Sequence, residues 1–399
     1  MVSLHEKRQV FRSDYVLAAI VMLLTLLGLV TLYSASYLFA LNQQWRFGDG
    51  LTPLNSNIMV CAVMLVMFPV LVFIKLDTFK QGWVVFALVL FTVLINLLPF
   101  VPFFQKSNFE QGVDVRRWII FRFGEREISF QPSEAIKVVL PMYLAYILDK
   151  NSERLNKFFY GPLPPAFVTG VFCLIVLWQS NFSEIVLISI ISFAVCFIAG
   201  VRFRWFALAA VVFLPIVYKL ISGKGGGHWY QRLETFFSPD QDLLGSRYQT
   251  EMSMEAIRSG GFLGKGIGQG NVKTSVPEVH GDFVFASYAE EFGLFGVFIH
   301  LVLVGLFAGI VFQVIWKSRD RFSQLLAFGL VAPIVIQTLL NVAVVANAVP
   351  TTGVALPFVS SGGSSLLMTL CASALLVNLV RRHVLSSVQS PDKEGWNGR

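Results

Sequence analysis

Residues 15–40 read YVLAAIVMLLTLLGLVTLYSASYLFA, an apolar run without a charged side chain. About 20 such residues are enough for an α-helix to cross roughly 30 Å of hydrocarbon. A short basic leader with Lys7, Arg8 and Arg12 precedes the run. The run is too long for the core of a signal peptide and lacks a small-residue cleavage site, so it predicts a retained transmembrane helix.

The composition of the whole chain extends this prediction to an integral membrane protein. Of its 399 residues, 55% are hydrophobic and 14% are charged, against roughly 25% charged in an average soluble domain. Recurring apolar runs predict an all-α polytopic membrane protein with about ten transmembrane helices. The predicted spans are residues 15–38, 56–75, 82–101, 132–149, 164–180, 182–200, 205–221, 284–315, 324–347 and 356–380.

Lysine and arginine residues are concentrated in alternate loops between the predicted spans. These residues are Lys7, Arg8, Arg12, Lys75, Lys80, Lys150, Arg154, Lys157, Arg202, Arg204, Lys317, Arg319, Arg321, Arg381 and Arg382. Basic residues favour the cytoplasmic side of a membrane, so both termini are predicted to be cytoplasmic. The same bias explains the net charge of +7 without nucleic acid as a partner.

Two external loops, at about residues 102–130 and 222–282, are too long to be simple connections. Loops of this length are commonly functional or disordered. The second loop lies between the seventh and eighth spans and is dense in aromatic and charged residues, which predicts a folded or membrane-apposed lid. We expect one transmembrane domain, residues 1–383, followed by a polar cytoplasmic tail, residues 384–399.

The cysteine and glycine patterns point away from two kinds of site. Cys61, Cys173, Cys196 and Cys371 all lie within apolar runs, and their spacing fits neither a metal site nor a disulfide framework. Residues 261–270, GFLGKGIGQG, resemble a nucleotide-binding loop but neither follow a predicted strand nor lie in a βαβ unit. We therefore predict no metal site and no nucleotide site.

Ionisable side chains at membrane depth are candidates for chemistry, because a charge in hydrocarbon is costly unless it faces water, a partner or a substrate. Asp282 lies in residues 277–285, PEVHGDFVF, where the long loop meets the eighth span. Glu134 and Lys137 stand three residues apart and share a helix face. That pair predicts a buried salt bridge, the lining of a hydrophilic cavity beside Asp282, or both.

Other polar residues have plainer interpretations. Glu184 lies near the external end of a span, where it is either hydrated or part of a site. Glu290 and Glu291 lie early in the eighth span, where carboxylates complement a helix N-terminus, and a capping role at the membrane interface is expected. His300 stands alone on an apolar face and is expected to pack there.

Seven motifs occur in order along almost the whole chain, and together they resemble the SEDS family, which contains FtsW, RodA and SpoVE. They are VRRWI at 115–119, QPSE at 131–134 with Lys137, RL at 232–233 with Phe236 and PDQD at 239–242, YQ at 248–249, GGFLGKG at 260–266, PEVHGDF at 277–283, and PTTG at 350–353 with LPF at 356–358 and SGGSS at 361–365.

This resemblance implies a peptidoglycan glycosyltransferase in the cytoplasmic (inner) membrane that polymerises lipid II into glycan strands on the outer face, for septal or lateral cell-wall synthesis. It implies Asp282 as the general base, with Lys137 and Glu134 as further catalytic residues. The implied substrate-binding residues are Arg116, Arg117, Trp118, Gln131, Ser133, Glu278, His280 and Ser364.

The resemblance also implies partners and leaves the cofactor open. The partners are lipid II, a class B penicillin-binding protein acting as transpeptidase, and other divisome or elongasome membrane proteins. No cofactor is certain, and a divalent cation stays open. The Arg116–Arg117–Trp118 trio suits an anionic lipid head group, although basic residues beside an interfacial tryptophan also serve as a membrane anchor.

The chain departs from the family pattern at three positions. Asn181 stands where many members have aspartate, which moves any charge role there to Glu184; Ser361 replaces a tyrosine, and Gly281 replaces a threonine. Two other function classes stay open. A lipid II flippase would show a polar pathway open in turn to both faces, and a scaffold would recruit a transpeptidase without catalysis. Chain length and residues 268–273 favour a division role over elongation.

Overall fold

The computed structural model describes residues 13–42, 52–104, 108–110, 113–123, 126–209, 211, 236, 246–271 and 281–389. Glu278 and His280, and much of the predicted loop 222–282, lie outside the described residues. Within the described part, the last helix continues to Gln389, beyond the predicted start of the polar tail.

The described residues contain the ten α-helices that are named in the next sentence, and nine of them coincide with predicted spans. They are α1 (Ser13–Asn42), α2 (Thr52–Phe73), α3 (Gly82–Leu97), α4 (Ile136–Lys150), α5 (Leu163–Trp178), α6 (Phe182–Ile198), α7 (Ser246–Gly260), α8 (Val284–Ile315), α9 (Arg321–Val345) and α10 (Gly363–Gln389). Residues 203–209, at the start of the predicted seventh span, are also helical. The chain is therefore a mostly helical, polytopic membrane protein.

Length and hydropathy separate the helices into two groups. Within the described residues, six helical segments are long and apolar enough to cross a membrane, and they belong to α1, α2, α3, α8, α9 and α10. The helices α5 and α6 are apolar but shorter. The helix α4 is the most enclosed: it packs against α3, α6 and α9, and Ile136, Leu140, Leu144 and Leu148 have no exposed surface. This enclosure allows the fourth predicted span to carry Glu134 and Lys137 away from lipid.

The first long loop, which was predicted to be external, contains β-structure that the sequence analysis did not predict. The strand β1 (Asn108–Glu110) pairs with β2 (Val113–Val115), and β3 (Ile119–Phe123) pairs with β4 (Arg126–Phe130), both antiparallel. The last pair is rich in isoleucine and phenylalanine, which favour strands. β4 leads directly through Gln131 into a 3-10 turn, Pro132–Ala135, and then into α4.

The predicted tenth span starts too early in the sequence analysis. Residues 346–362, which we call the strap, connect α9 to α10 and contain no helix. Pro350 and Pro357 lack a backbone N–H and disfavour a regular helix, and Phe358 has a positive φ of 67°. The helix therefore begins at Gly363 rather than at residue 356.

The predicted eighth span is interrupted. The helical geometry of α8 breaks at Gly293, where φ is 66° and ψ is −172°. Glu290 and Glu291, expected to cap a helix end at the membrane interface, lie just before this break with only 2% and 1% of their surface exposed. That interpretation was wrong, because a turn of the second long loop packs into the break and covers both side chains.

Candidate functional site

Three ionisable side chains meet inside the helix bundle. Lys137 Nζ lies 2.5 Å from Glu134 Oε2 and 3.7 Å from Glu184 Oε1, and all three side chains are 6–8% exposed. The 3-10 turn that begins at Pro132 places Glu134 one helical turn before Lys137. The predicted pairing of Glu134 with Lys137 is therefore present. Glu184 makes the group a triad with two carboxylates and one ammonium.

The start of α6 brings Glu184 to Lys137. Asn181 is the N-cap residue of α6, and its side-chain oxygen accepts a hydrogen bond from the Glu184 backbone N–H at 3.4 Å. Asparagine is a preferred N-cap because it satisfies an N–H that has no partner within the helix. Asn181 was identified as a departure from the family pattern. Its hydrogen bond thus helps to position Glu184, the residue to which a charge role at this place moves. The neighbouring Ser183 hydroxyl donates to the Thr352 carbonyl of the strap.

Three predicted substrate-binding residues are joined by hydrogen bonds beside Glu134 of this triad. The Gln131 backbone N–H donates to Ser364 Oγ at 2.9 Å, and Gln131 Nε2 donates to Ser133 Oγ at 3.1 Å. Ser133 and Ser364 are buried, while Gln131 is partly exposed. The contacts join the start of α4 to the start of α10.

Asp282 lies two residues before α8 and is partly exposed. Its backbone carbonyl accepts a hydrogen bond from Asn341 Nδ2 at 2.9 Å, and the same amide donates to the Val354 carbonyl of the strap at 2.8 Å. The preceding carbonyl, of Gly281, accepts from Ser360 Oγ at 2.9 Å. The backbone at Asp282 is therefore fixed by α9 and the strap.

The strap connects the two parts of the candidate site. The Thr352 carbonyl of the strap accepts a hydrogen bond from Ser183, the neighbour of Glu184 in the buried triad. The Val354 carbonyl of the strap and the Asp282 carbonyl both accept from the Asn341 amide. The structure thus joins Asp282 and the triad to one short segment of chain, although they are distant in sequence.

The basic trio occupies the link between two hairpins. Arg116, Arg117 and Trp118 separate β2 from β3 and are partly exposed. Ile119 is paired with Phe130, so Trp118 lies at the same end of its hairpin as Gln131. The structure therefore brings the trio toward the start of α4. The remaining predicted ligands, Glu278 and His280, lie outside the described residues.

The sequence analysis missed several buried amide side chains that support the site. Gln179 Nε2 donates to the Asn96 carbonyl at 2.8 Å, and Asn96 Nδ2 donates to the Pro132 carbonyl at 3.2 Å. Asn341 performs the same role for Asp282. Each amide stands inside or next to an apolar run, and a buried polar group needs a hydrogen-bond partner. That isolation is the sequence feature that could have identified them.

Comparisons with known proteins find one family across almost the whole chain. The model of the FtsW/RodA/SpoVE family, described as cell cycle protein, matches residues 14–384. A probable peptidoglycan glycosyltransferase FtsW from Geobacter sp. (strain M18) is 32% identical, with 94% of this chain and 98% of the relative covered. One from Bacillus subtilis (strain 168) is 30% identical, with 94% and 92% covered.

Solved structures share the fold. One comes from work described as "Structural coordination of polymerization and crosslinking by a peptidoglycan synthase complex". It aligns with a TM-score of 0.72 at 24% identity, and the alignment covers 92% of this chain and 98% of that chain. The rod shape determining protein RodA of Thermus thermophilus aligns with a TM-score of 0.64 at 22% identity, covering 92% and 97%.

Proposed function

Since the chain belongs to the FtsW/RodA/SpoVE family of cell cycle proteins, we propose that it polymerises lipid II, with Asp282 at the reacting centre. It is a peptidoglycan glycosyltransferase of cell-wall synthesis, as its relatives are named. The observation that carries the site is that Asn341 joins the backbone of the partly exposed Asp282 to the strap, which also contacts the buried triad through Ser183.

The proposed reaction joins two lipid-linked glycans. An acceptor sugar hydroxyl attacks the anomeric carbon of the donor, the new glycosidic C–O bond forms, and the bond to the pyrophosphate breaks with its electron pair leaving on the pyrophosphate. The hydroxyl proton passes to the Asp282 carboxylate, which acts as general base. The pyrophosphate leaves as an anion and needs no proton, so a second carboxylic acid is not required.

Lys137 and the two arginines of the trio, Arg116 and Arg117, supply positive charge next to this anion. An ammonium has three N–H donors, so pairing with Glu134 and Glu184 leaves Lys137 a further donor for a phosphate oxygen. Glu134 holds the ammonium in place. Arg116 and Arg117, whose planar guanidinium groups match phosphate oxygens, bind the head group from the loop side. The steps above are written without a metal ion, and a divalent cation stays open as in the sequence analysis.

The remaining substrate contacts are assigned by position. Gln131, Ser133 and Ser364 form a polar cluster next to Glu134, and Trp118 lies at the same end of the adjacent hairpin. Glu278 and His280, which lie outside the described residues, are proposed as ligands from the PEVHGDF motif that they share with Asp282.

The proposed topology has ten spans, with both termini in the cytoplasm and the catalytic site on the outer face of the cytoplasmic membrane. The six long apolar segments and the shorter α5 and α6 support several crossings. The alternate basic loops support the orientation. A transpeptidase of the penicillin-binding class B type is the proposed partner, which a structural relative described as a complex of polymerization and crosslinking supports. The FtsW names of the relatives favour septal synthesis.

A polymerisation assay tests this function. The purified chain, with and without its co-expressed transpeptidase, is incubated with lipid II in detergent or liposomes, and glycan strands are separated by length. Strand formation is the expected result. Translocation of lipid II without strands would instead identify a flippase, and neither activity in a complex that retains the transpeptidase would identify a scaffold.

A further inference from the structure

The break in α8 is filled by the turn that follows α7. In a continuous helix, the N–H groups of Leu294 and Phe295 would donate to the carbonyls of Glu290 and Glu291, four residues earlier. Here Leu294 donates to the Gly261 carbonyl at 2.9 Å and Phe295 to that of Phe262 at 3.0 Å. Residues 260–271, which we call the glycine turn, therefore replace part of the helix's own hydrogen bonding.

The exchange is reciprocal. The carbonyls of Glu290 and Glu291, which lose their helical donors, accept from the backbone N–H groups of Lys265 and Gly266, both at 3.0 Å. A buried backbone group without a partner costs free energy comparable to a lost hydrogen bond. The break in α8 is thus tolerated because the glycine turn satisfies all four backbone groups.

Two glycines make this close approach feasible. Gly293 has a φ of 66°, and a Cβ on it would lie 2.3 Å from the Gly264 nitrogen. Gly264 has a φ of 79°, and a Cβ there would lie 2.1 Å from the Glu291 carbonyl oxygen. Both positions exclude any other residue on steric grounds.

The Glu290 side chain anchors the glycine turn. Its Oε1 accepts from Lys265 Nζ at 2.7 Å and from the Asn271 backbone N–H at 2.9 Å. Ser259 Oγ, at 3.4 Å, is a longer contact from the end of α7. Hydrogen bonds to a charged group are stronger than neutral ones, especially where water is excluded.

The Glu291 side chain anchors the same turn to a second helix. Its Oε1 accepts from the Gly268 backbone N–H at 3.2 Å and from Ser34 Oγ of α1 at 2.7 Å. The two neighbouring carboxylates therefore bind both halves of the turn. This geometry explains why two acidic side chains are buried within a membrane helix.

We propose that Glu290 and Glu291 are positioning residues for Asp282. The first half of α8 runs from Val284, two residues after Asp282, to the two carboxylates, so the contacts of Glu290 and Glu291 fix the helix that begins next to Asp282. Near Asp282, Asn341 and Ser360 fix the backbone. The carboxylates thus fix the helix that follows the general base, while Asn341 and Ser360 fix the backbone at the base itself, an inference that rests on the proposed function.

The proposal is tested by the kinetics of two single variants and of their double variant. The full chain is purified together with its transpeptidase. Glu290→Gln keeps the shape of the side chain but removes its charge, and Lys265→Met removes the donor from the other side. Because a displacement of about 1 Å can cost roughly 10²-fold in rate, we expect kcat to fall about tenfold or more in both. The KM for lipid II should change less than about twofold, because substrate binding does not need the proton transfer.

The double variant and two physical measurements separate positioning from general stability. If both residues act through one contact, Glu290→Gln/Lys265→Met loses no more kcat than the worse single variant. Hydrogen exchange should quicken mainly over residues 281–290, and kcat is compared per folded molecule because the loss of one partner from this pair also lowers Tm. Glu153→Gln, a matched change at an exposed loop residue between α4 and α5, should leave kcat and exchange unchanged.

Each contrary result has a distinct meaning. A wild-type complex that forms no glycan strands refutes the proposed function itself. With an active wild type, full kcat per folded molecule in Glu290→Gln and Lys265→Met overturns the positioning role, as does a raised KM with unchanged kcat. Failure of both variants to fold also overturns it, because the contacts would then serve the stability of the fold.

Discussion

Lys137 Nζ and Glu134 Oε2 lie 2.5 Å apart inside the helix bundle, in side chains that are more than nine-tenths buried. The three-residue spacing predicted this pair, and the structure adds Glu184 at 3.7 Å. Breaking a buried ion pair by removing one partner is strongly destabilising, at about 3–5 kcal/mol, because the other charge stays buried without compensation. Tests of this pair must therefore measure folding together with activity.

Removal of the Lys137 ammonium should abolish or sharply reduce polymerisation. Lys137→Ala leaves two carboxylates, Glu134 and Glu184, without their cation and removes positive charge from the proposed pyrophosphate site. Strand formation is measured per folded molecule, with Tm and membrane insertion recorded alongside. Lys150→Ala, at the exposed end of the same helix, is the matched control and should retain activity. Wild-type rates in folded Lys137→Ala would reduce the pair to a packing contact.

Loss of the Asn341 amide should lower both stability and rate. Asn341→Leu removes the donor to the Asp282 and Val354 carbonyls, and each buried carbonyl left unpaired costs about 1–3 kcal/mol. Asn378→Leu is a close control, since Asn378 also donates to two carbonyls, those of Leu71 and Ile74. Both variants should lower Tm, but only Asn341→Leu should lower kcat per folded molecule. Equal kcat losses in the two would contradict a link to Asp282.

Asp320 should make stability depend on acid pH. Burial raises the pKa of this carboxyl, but hydrogen bonds from Ser323 and Lys80 and the charges of Lys80 and Arg382 outweigh burial, so its pKa lies below the ordinary value. A carboxylate with a lowered pKa stabilises the folded state above its unfolded pKa, about 3.9, and loses that contribution as pH falls through the folded value.

The measurement for Asp320 is the difference in Tm between the wild type and Asp320→Asn. It should be largest near neutral pH and shrink as pH falls below about 4. A difference of constant size from neutral to strongly acid pH would show that the ionised carboxylate contributes nothing beyond its shape.

The proposed topology can be tested with reporter fusions. The alternation of basic loops predicts that a reporter fused after His383 lies in the cytoplasm and that one inserted near Gly226 lies outside. Alkaline phosphatase and fluorescent protein fusions at the two positions report the two sides. Finding both positions on one side would refute the ten-span arrangement.

Much of the fold could be predicted from the sequence, because apolar length alone marks a membrane helix. The Glu134–Lys137 pair was also predictable, since three residues separate neighbours on one helix face. The partnership with Glu184 was not predictable, because it depends on how α6 packs against α4. Asn181 was noted only as a departure from the family pattern, whereas its capping hydrogen bond helps to place Glu184.

The interruption of α8 shows where sequence patterns fail. A single glycine such as Gly293 is common in membrane helices, so nothing local marked it as a break. Residues 261–270 resembled a nucleotide loop, and Glu290 and Glu291 suggested helix capping. Their actual relation, in which the turn exchanges backbone hydrogen bonds with the broken helix, joins a turn of the long loop to the helix that follows the loop. Such a contact appears only in three dimensions.

The most direct test of the central claim is glycan polymerisation by Asp282→Asn. The amide keeps the shape of the side chain but cannot accept a proton at neutral pH, and a general base typically contributes about 10²–10⁴-fold in rate. Lipid II binding and association with the transpeptidase should survive, and Asp77→Asn, an exposed residue before α3, should polymerise normally. We expect strand formation by Asp282→Asn to fall to background. Polymerisation of lipid II by folded Asp282→Asn at the wild-type rate would contradict the account.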